Sequence, residues 1–165
     1  MCSGGYVVNA PSKEGMLAVN GMSYSGRDRL NANSAIIITV DPVEFGGDYV
    51  LSGVEFQRRL EKKAYELAGR KIPVEYYGDF KKGLDKGDDD SSFVKMIPEG
   101  FEPQMKGGYE FAAVHEILPE DLNDSFVEGM ENFGKIIKDY NDSRAIVSGV
   151  ESRTSSPFRI LRDGG

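Results

Sequence analysis

Short apolar runs separated by turn-forming residues open the chain. Residues 6–9 and 16–20 are rich in valine and flank a segment, residues 10–15, that contains proline and glycine. Two runs of this kind joined by such a segment predict a β-hairpin. A longer polar stretch then leads to residues 35–40, an apolar and β-branched run that predicts a buried strand. The polar stretch between them is therefore a connection between two strands of a sheet.

Two later stretches carry apolar residues at helical spacing. The first begins at Val54 and ends near Gly69, and its apolar positions are Phe56, Leu60, Ala64 and Leu67. The other side of this helix is charged and predicts a solvated face, made of Arg58, Arg59, Glu61, Lys62 and Lys63. The second begins at Leu118 and Pro119 and ends at Asn141, and its apolar stripe consists of Leu122, Phe126, Met130, Phe133 and Ile137. Such a stripe is typical of a face packed on a core.

Three further runs, residues 72–77, 145–150 and 158–161, predict strands. Pro73 suggests that the first of them starts at that point or lies at a sheet edge, because proline has no backbone N–H to donate. Residues 78–93 are polar and predict partial disorder, and residues 93–109 predict irregular or short extended structure. Together these patterns predict an α+β fold, with a mainly antiparallel sheet or partly open β-barrel and two principal amphipathic helices.

Composition limits the class of protein further. A chain of 165 residues suffices for one domain with a real core, and a net charge of -7 with a pI near 4.8 argues against a nucleic-acid groove. The acidic residues 85–90 lie among glycine and serine, which predicts a solvated loop rather than a metal site. A single cysteine excludes an internal disulfide, and no signal peptide or membrane segment is visible. We therefore expect a cytoplasmic protein.

Two polar segments are candidates for ligand binding. Residues 148–162 gather a carboxylate, a guanidinium and three hydroxyls from Glu151, Arg153, Thr154, Ser155 and Ser156. A guanidinium fork suits phosphate or carboxylate groups, and hydroxyls both donate and accept. The polar connection at residues 23–28 repeats this chemistry with Tyr24, Ser25, Arg27 and Asp28. The alternative is a solvated turn with an internal pair between Glu151 and Arg153.

Other features weigh against catalysis by this chain alone. It has neither a GxGxxG between a strand and a helix nor a GxxxxGK[ST], so no dinucleotide or nucleotide phosphate cradle is recognisable. His115 is the sole histidine, and a hydrolase would need it together with Ser155 or Ser156. No GxSxG supports that idea, so a structural or surface role for His115 is favoured. Cys2 lies beside two glycines and is best interpreted as an ordinary cysteine rather than a thiol facing a redox cofactor.

Several ordered blocks resemble one family. Residues 149–163, GVESRTSSPFRILRD, resemble the signature that closes the inserted domain of bacterial FAD-dependent dehydrogenases, also called NAD(FAD)-utilising dehydrogenases. The resemblance also covers CSGGYVVNA at residues 2–10, VNGMSYSGRD at 19–28, NANSAII at 31–37, GVEFQ at 53–57 and YGDFK at 77–81. These blocks follow the family's order over most of the chain.

The resemblance implies that residues 1–165 are a single inserted domain of a larger flavoprotein, whose FAD-binding Rossmann portions lie outside this chain. The domain would cover the flavin and shape the cavity for a small-molecule substrate, without binding FAD tightly or catalysing alone. The resemblance implies cofactor-facing roles for Tyr24, Ser25, Arg27, Glu151, Arg153, Thr154, Ser155 and Ser156, with Glu151 holding an arginine in place. No catalytic residue is assigned.

The interpretation as an inserted domain predicts where the two ends of the chain lie. An inserted domain leaves and rejoins its host at nearly one place, so residues 6–9 and 158–161 are expected close together, in one sheet. The rival interpretation is a non-catalytic module that binds a small ligand or another protein through the acidic loop and the Ser/Thr-rich segment.

Overall fold

The structure is a computed structural model that describes residues 3–11, 13–46, 49–85 and 99–153. Its helices are α1 (Ser52–Leu67), α2 (Tyr77–Leu84) and α3 (Glu120–Gly134), with a short 3₁₀ helix at Val114–Glu116. Its strands are β1 (Gly5–Asn9), β2 (Val19–Ser23), β3 (Ile72–Tyr76), β4 (Met105–Lys106), β5 (Tyr109–Phe111) and β6 (Ile146–Ser148). The α+β class predicted from the sequence is confirmed.

The predicted hairpin forms the first sheet. β1 and β2 pair antiparallel, from Gly5 opposite Ser23 to Asn9 opposite Val19, and β4 adds to the other side of β1 in parallel. The second strand begins at Val19 rather than at residue 16, and the Leu17 N–H donates to the Glu61 carbonyl at 3.0 Å instead. The sheet order is β2-β1-β4.

The second sheet has the order β5-β3-β6, with one parallel and one antiparallel pair. All five residues of β3 are buried, so this strand is the centre of the molecule and not an edge. Pro73 is nevertheless tolerated there, as the second residue of the strand, and its carbonyl accepts a hydrogen bond from the Ser148 hydroxyl at 3.0 Å. Each sheet is small and mixed, and the described strands do not close a barrel.

Both predicted amphipathic helices are present. α1 buries Phe56, Leu60 and Ala64 as expected. α3 buries Leu122 and Met130 and ends at Gly134, before the predicted end at Asn141, so Phe133 near its C-terminus is 42% exposed.

α2 was not expected, because residues 78–93 were predicted to be partly disordered. Its Tyr77 and Phe80 are nearly fully buried, and the apolar side chains of residues 77, 80 and 84 follow helical spacing. Burial of these two aromatic rings stabilises a short helix that contains two glycines. Residues 86–93 of that prediction lie outside the described residues.

The prediction of a buried strand at residues 35–40 is wrong for the described chain. The segment belongs to neither sheet, and Ile37 is 70% exposed. The predicted strand at residues 158–161, and with it the expected closeness to β1, lies outside the described residues.

One apolar core joins the two sheets and the helices. Leu17, Ile72, Val74 and Phe80 are at most 2% exposed, and α1 and the 3₁₀ helix pack against them. None of the helices described is long and apolar enough to cross a bilayer.

Candidate functional site

A cavity of about 890 Å³ lies between the first sheet, α1, α3 and the loop that follows β6. The segment at residues 31–40 forms one side of it. Its walls are mainly apolar and include Ile38, Phe56, Leu60, Ile117, Leu122 and Phe126. Small-ligand pockets commonly span roughly 300–1,000 Å³ and are lined in this way, with a few polar groups that fix orientation.

The volume distinguishes this cavity from a packing defect. Protein interiors leave few voids larger than a water molecule. This cavity is partly open to solvent, so side chains do not have to fill it. The cavity is therefore a space that solvent or a ligand fills.

Polar groups enter the cavity at the end of β6. Glu151 and Ser152 line it together with Gln57 from the first turns of α1. The Gln57 side-chain amide donates to the Ser152 carbonyl at 2.7 Å. The loop after β6 is thus attached to α1 at the point where it borders the cavity.

Glu61 is the main anchor of this loop, and it is 0% exposed. Its carboxylate accepts hydrogen bonds from the Ser152 hydroxyl at 2.6 Å and from two N–H groups of the Arg153 guanidinium, Nε at 2.8 Å and Nη2 at 2.9 Å. The hydrogen bond to Glu61 raises the pKa of Arg153. Such a two-point pair fixes both the position and the plane of the guanidinium.

This arrangement corrects one expectation. Glu61 was assigned to the solvated face of α1, but it is buried and forms the two-point pair with Arg153. Arg153 uses one edge of its guanidinium structurally, while 47% of its side-chain surface remains exposed. Thr154, Ser155 and Ser156 lie outside the described residues.

The other polar segment follows β2 and is largely exposed. Tyr24 packs edge-on against Tyr6, with ring centroids 5.5 Å apart, and its hydroxyl accepts a hydrogen bond from Lys106 Nζ. Arg27 has a left-handed backbone with φ of 46°. A Cβ atom on Gly4 would stand 2.1 Å from the Arg27 carbonyl carbon, so only glycine permits this approach. Ser25 and Asp28 are exposed beside it.

The structure does not bring the two predicted segments together. The Val19 N–H, at the start of β2, donates to the Val150 carbonyl at 3.0 Å, whereas Tyr24 follows the opposite end of the same strand. At ~3.3 Å per residue, the five steps along the strand separate Val19 from Tyr24 by about 17 Å.

His115 forms a buried pair that has no part in the cavity. Its Nδ1 lies 2.8 Å from Oε1 of Glu75, a β3 residue that is 1% exposed, and its backbone N–H donates to Oε2 at 3.0 Å. The hydrogen bond to Glu75 raises the pKa of His115, although burial acts in the opposite direction. Its ring packs edge-on to Phe80, with centroids 5.9 Å apart. These contacts fit the structural role that the sequence favoured.

Sequence reasoning missed Glu61 and Glu75 because each stands where another role was expected. Gln57 and Glu61 are four residues apart at the border of the apolar stripe of α1, which is a signal for a shared polar contact. Glu75 interrupts an apolar strand, and a carboxylate in such a run needs a partner. In the part of the chain that the structure describes, no group of three or more His, Cys, Asp or Glu residues could hold a metal ion.

Two comparisons relate the chain to known sequences. The model of the family described as FAD-dependent protein, C-terminal domain-like, matches residues 1–154. An uncharacterized protein of Clostridium beijerinckii is 44% identical over 165 residues, which cover 99% of this chain and 29% of that protein. The chain thus spans less than a third of the length of this relative.

Proposed function

This chain belongs to the FAD-dependent protein, C-terminal domain-like, family, and on that premise we propose that it is a substrate-covering domain of a longer FAD-dependent oxidoreductase. It forms part of the cavity over the flavin, and it is an inserted domain of that parent chain. The observation that carries the proposal is the cavity of about 890 Å³, with its apolar walls and the anchored loop at residues 149–153.

The residues of this chain do not fit a role as the holder of FAD. The sequence has no glycine fingerprint that would hold a pyrophosphate. We therefore assign the binding of FAD to the remainder of the parent polypeptide. When bound, the flavin supplies the electron chemistry, and the protein around it orients substrate and excludes water.

The walls of the cavity suit the orientation of a substrate and the exclusion of water. Ile38 and Val40 on one side face a floor built from the 3₁₀ helix and α3, so a substrate would lie between apolar surfaces. Gln57 and the loop after β6 supply polar groups at one end. Rigid support of that loop by Glu61 holds these groups in place while the substrate binds.

The test uses the parent polypeptide. We expect it to be yellow, with flavin fluorescence that iodide quenches weakly, and we expect quenching to increase when the residues of this domain are replaced by a short linker. A colourless parent that cannot be reconstituted with FAD would refute the flavin assignment. Equal quenching with and without the domain would refute its position over the ring.

A point variant avoids the risk that the shortened protein does not fold. Ile38 lines the cavity, so Ile38→Trp should fill part of it and reduce iodide quenching further without loss of flavin. Ile136 is 81% exposed, and Ile136→Trp is the matched control that should leave quenching unchanged. Equal behaviour of the two variants would contradict the proposal.

A further inference from the structure

Residues 35–40 have the composition of a strand, but in the part of the chain that the structure describes they pair with no strand. Residues 36–40 are all β-branched, which favours extended structure. Ile36, Ile38 and Val40 are half-buried, while Ile37 and Thr39 are exposed, so burial alternates with the period of a β-strand.

The backbone N–H and C=O groups of this segment have no protein partner among the described residues. Neighbouring strands of a sheet satisfy each other's backbone groups, so an extended segment without a ladder is a template for another strand.

The segment is fixed at its N-terminal end. Ser34 Oγ lies 2.7 Å from the hydroxyl oxygen of Tyr140, and the Asn33 side-chain amide donates to the carbonyls of Tyr6 and Met22. At the other end, the Asp41 N–H donates to Glu44 Oε2 at 2.6 Å within a local turn. The contacts of Asn33 and Ser34 reduce the entropy lost when a strand is added.

The surroundings of the segment are unusually apolar for a surface. The described chain exposes large apolar side chains mainly between residues 22 and 51, and those nearest the segment in sequence are Leu30 at 74%, Ile37 at 70% and Val43 at 89%. Exposed apolar residues concentrated in one region are typical of a surface that another structure covers. The related protein supplies a source for that cover, because this chain corresponds to only 29% of its length.

We propose that residues 35–40 are a docking edge for a β-strand contributed by the remainder of the parent polypeptide. The added strand pairs through backbone hydrogen bonds and places apolar side chains beside Ile37. This inference rests on the proposed function in one respect, the existence of a longer parent chain. It does not depend on which substrate the cavity takes.

The pairing also bears on the cavity, because residues 35–40 line one side of it. A strand added beside these residues makes them part of a sheet. The cavity wall then becomes rigid when the domain is assembled with its host.

Amide hydrogen exchange tests the pairing directly. In the 165-residue chain, we expect the amides of residues 35–40 to exchange at least 100-fold faster than those of β3. In the parent polypeptide, we expect them to slow by at least 100-fold. Slow exchange already in the 165-residue chain would place the partner within this chain and overturn the proposal.

A yellow parent in which residues 35–40 still exchange rapidly would also overturn the pairing, although it would leave the proposed function intact. A colourless parent in which these amides are protected would support the pairing and contradict the flavin assignment. The two proposals can therefore fail separately.

A pair of lysine variants adds a second readout. Ile37→Lys should leave the stability of the 165-residue chain unchanged, because the side chain is already exposed, but it should restore fast exchange at residues 35–40 in the parent. Ile136→Lys introduces the same charge at a position that is 81% exposed, after the end of α3, and should leave exchange of this segment unchanged. Equal exchange in the two parent variants would contradict a partner at Ile37.

Discussion

Glu61 and Arg153 lie 92 residues apart in the chain and meet in a two-point ion pair, in which Nε and Nη2 of the arginine donate at 2.8 and 2.9 Å. The pair is asymmetric, since the glutamate is 0% exposed and the arginine side chain is 47% exposed. It joins the loop after β6 to α1 beside the cavity. Removal of the arginine and removal of the glutamate should therefore change the free energy of unfolding by different amounts.

Arg153→Met should lower the free energy of unfolding by about 3 kcal/mol, because it leaves a buried carboxylate without its cation. Urea denaturation of the 165-residue chain at neutral pH measures this loss. Arg144→Met is the control, since the side chains of Arg144 and Asp142 are 53% and 22% exposed and separated by 2.7 Å. An exposed pair of this kind contributes about 0–1 kcal/mol.

The double variant tests whether the unpaired carboxylate of Glu61 causes this loss of stability. Glu61→Gln removes that charge, so Arg153→Met combined with Glu61→Gln should recover at least half of the stability that Arg153→Met loses. If the combination is no more stable than Arg153→Met alone, the loss arises from packing of the arginine stem and not from the buried carboxylate.

Histidine titration provides a second prediction. Since His115 is the sole histidine, its ring protons can be followed by NMR in the intact chain. We expect its pKa above the ordinary value of 6.5, because Glu75 hydrogen-bonds to the charged ring and outweighs the effect of burial. Glu75→Gln should lower the pKa of His115, since burial then acts against only the weaker charge effect of Glu116.

The sign of the stability change follows from the direction of that shift. A pKa raised on folding gives a stabilisation that is complete below the unfolded value of 6.5 and is lost as the pH rises through the folded value. The free energy of unfolding should therefore fall across this window in the wild-type chain and remain flatter in Glu75→Gln. A titration of His115 unchanged by Glu75→Gln would contradict the pairing.

Local patterns in the sequence were sufficient for the hairpin, α1 and α3, because a period of two or 3.6 residues reports directly on which face is buried. α2 escaped prediction because Gly78 and Gly83 lower helix propensity, while the burial of Tyr77 and Phe80 that compensates for it depends on tertiary packing. Residues 35–40 were predicted as a strand from the same kind of local signal. In the described chain, no strand pairs with these residues.

The candidate site was less predictable than the fold. The loop after β6 was identified by its residue types, but its anchor, Glu61, comes from a helix 92 residues away, and no local pattern carries that distance. The two polar segments looked equivalent because they have similar chemistry. The structure separates the two segments along β2, because Val19 at its start contacts the loop after β6 and Tyr24 follows its end.

Glycine at position 83 is required by the histidine pair. A Cβ atom there would lie 2.3 Å from Cε1 of His115, and the ring cannot move away because Glu75 holds it. Gly83→Ala should therefore destabilise the chain by about 1–3 kcal/mol through overpacking. It should also perturb the NMR titration of His115.

The control is the same substitution in another helix. Gly129 in α3 has open space at its Cβ position, so Gly129→Ala should stabilise the chain by up to about 1 kcal/mol through higher helix propensity. The two alanine variants should thus change thermal stability in opposite directions. A shift of the same sign in both would show that helix propensity, and not contact with His115, determines the effect at position 83.

Glu131 links α3 to α2 and to the segment after α3. We expect its protonation to contribute to the loss of stability at low pH. Its carboxylate accepts hydrogen bonds from Tyr77, Lys81 and Asn141 at 2.8, 3.0 and 2.6 Å. The hydrogen bonds, led by that from Lys81, lower the pKa of Glu131 to about 2. Burial, followed by the hydrogen bond to Glu131, raises the pKa of the Tyr77 hydroxyl, so this tyrosine remains a neutral donor.

A pKa lowered on folding gives a stabilisation that is present above the ordinary value of 4.5 and is lost as the pH falls toward about 2. Because 40% of the Glu131 side chain is exposed, solvent screening limits the effect, and Glu131→Gln should cost about 1 kcal/mol at pH 7. Urea denaturation from pH 7 to pH 2 should show this difference shrinking below pH 4.5. Glu128→Gln, at an exposed position of the same helix, should show no such pH dependence. A cost of Glu131→Gln that stays constant down to pH 2 would mean that the shape of the side chain, and not its charge, holds the helices together.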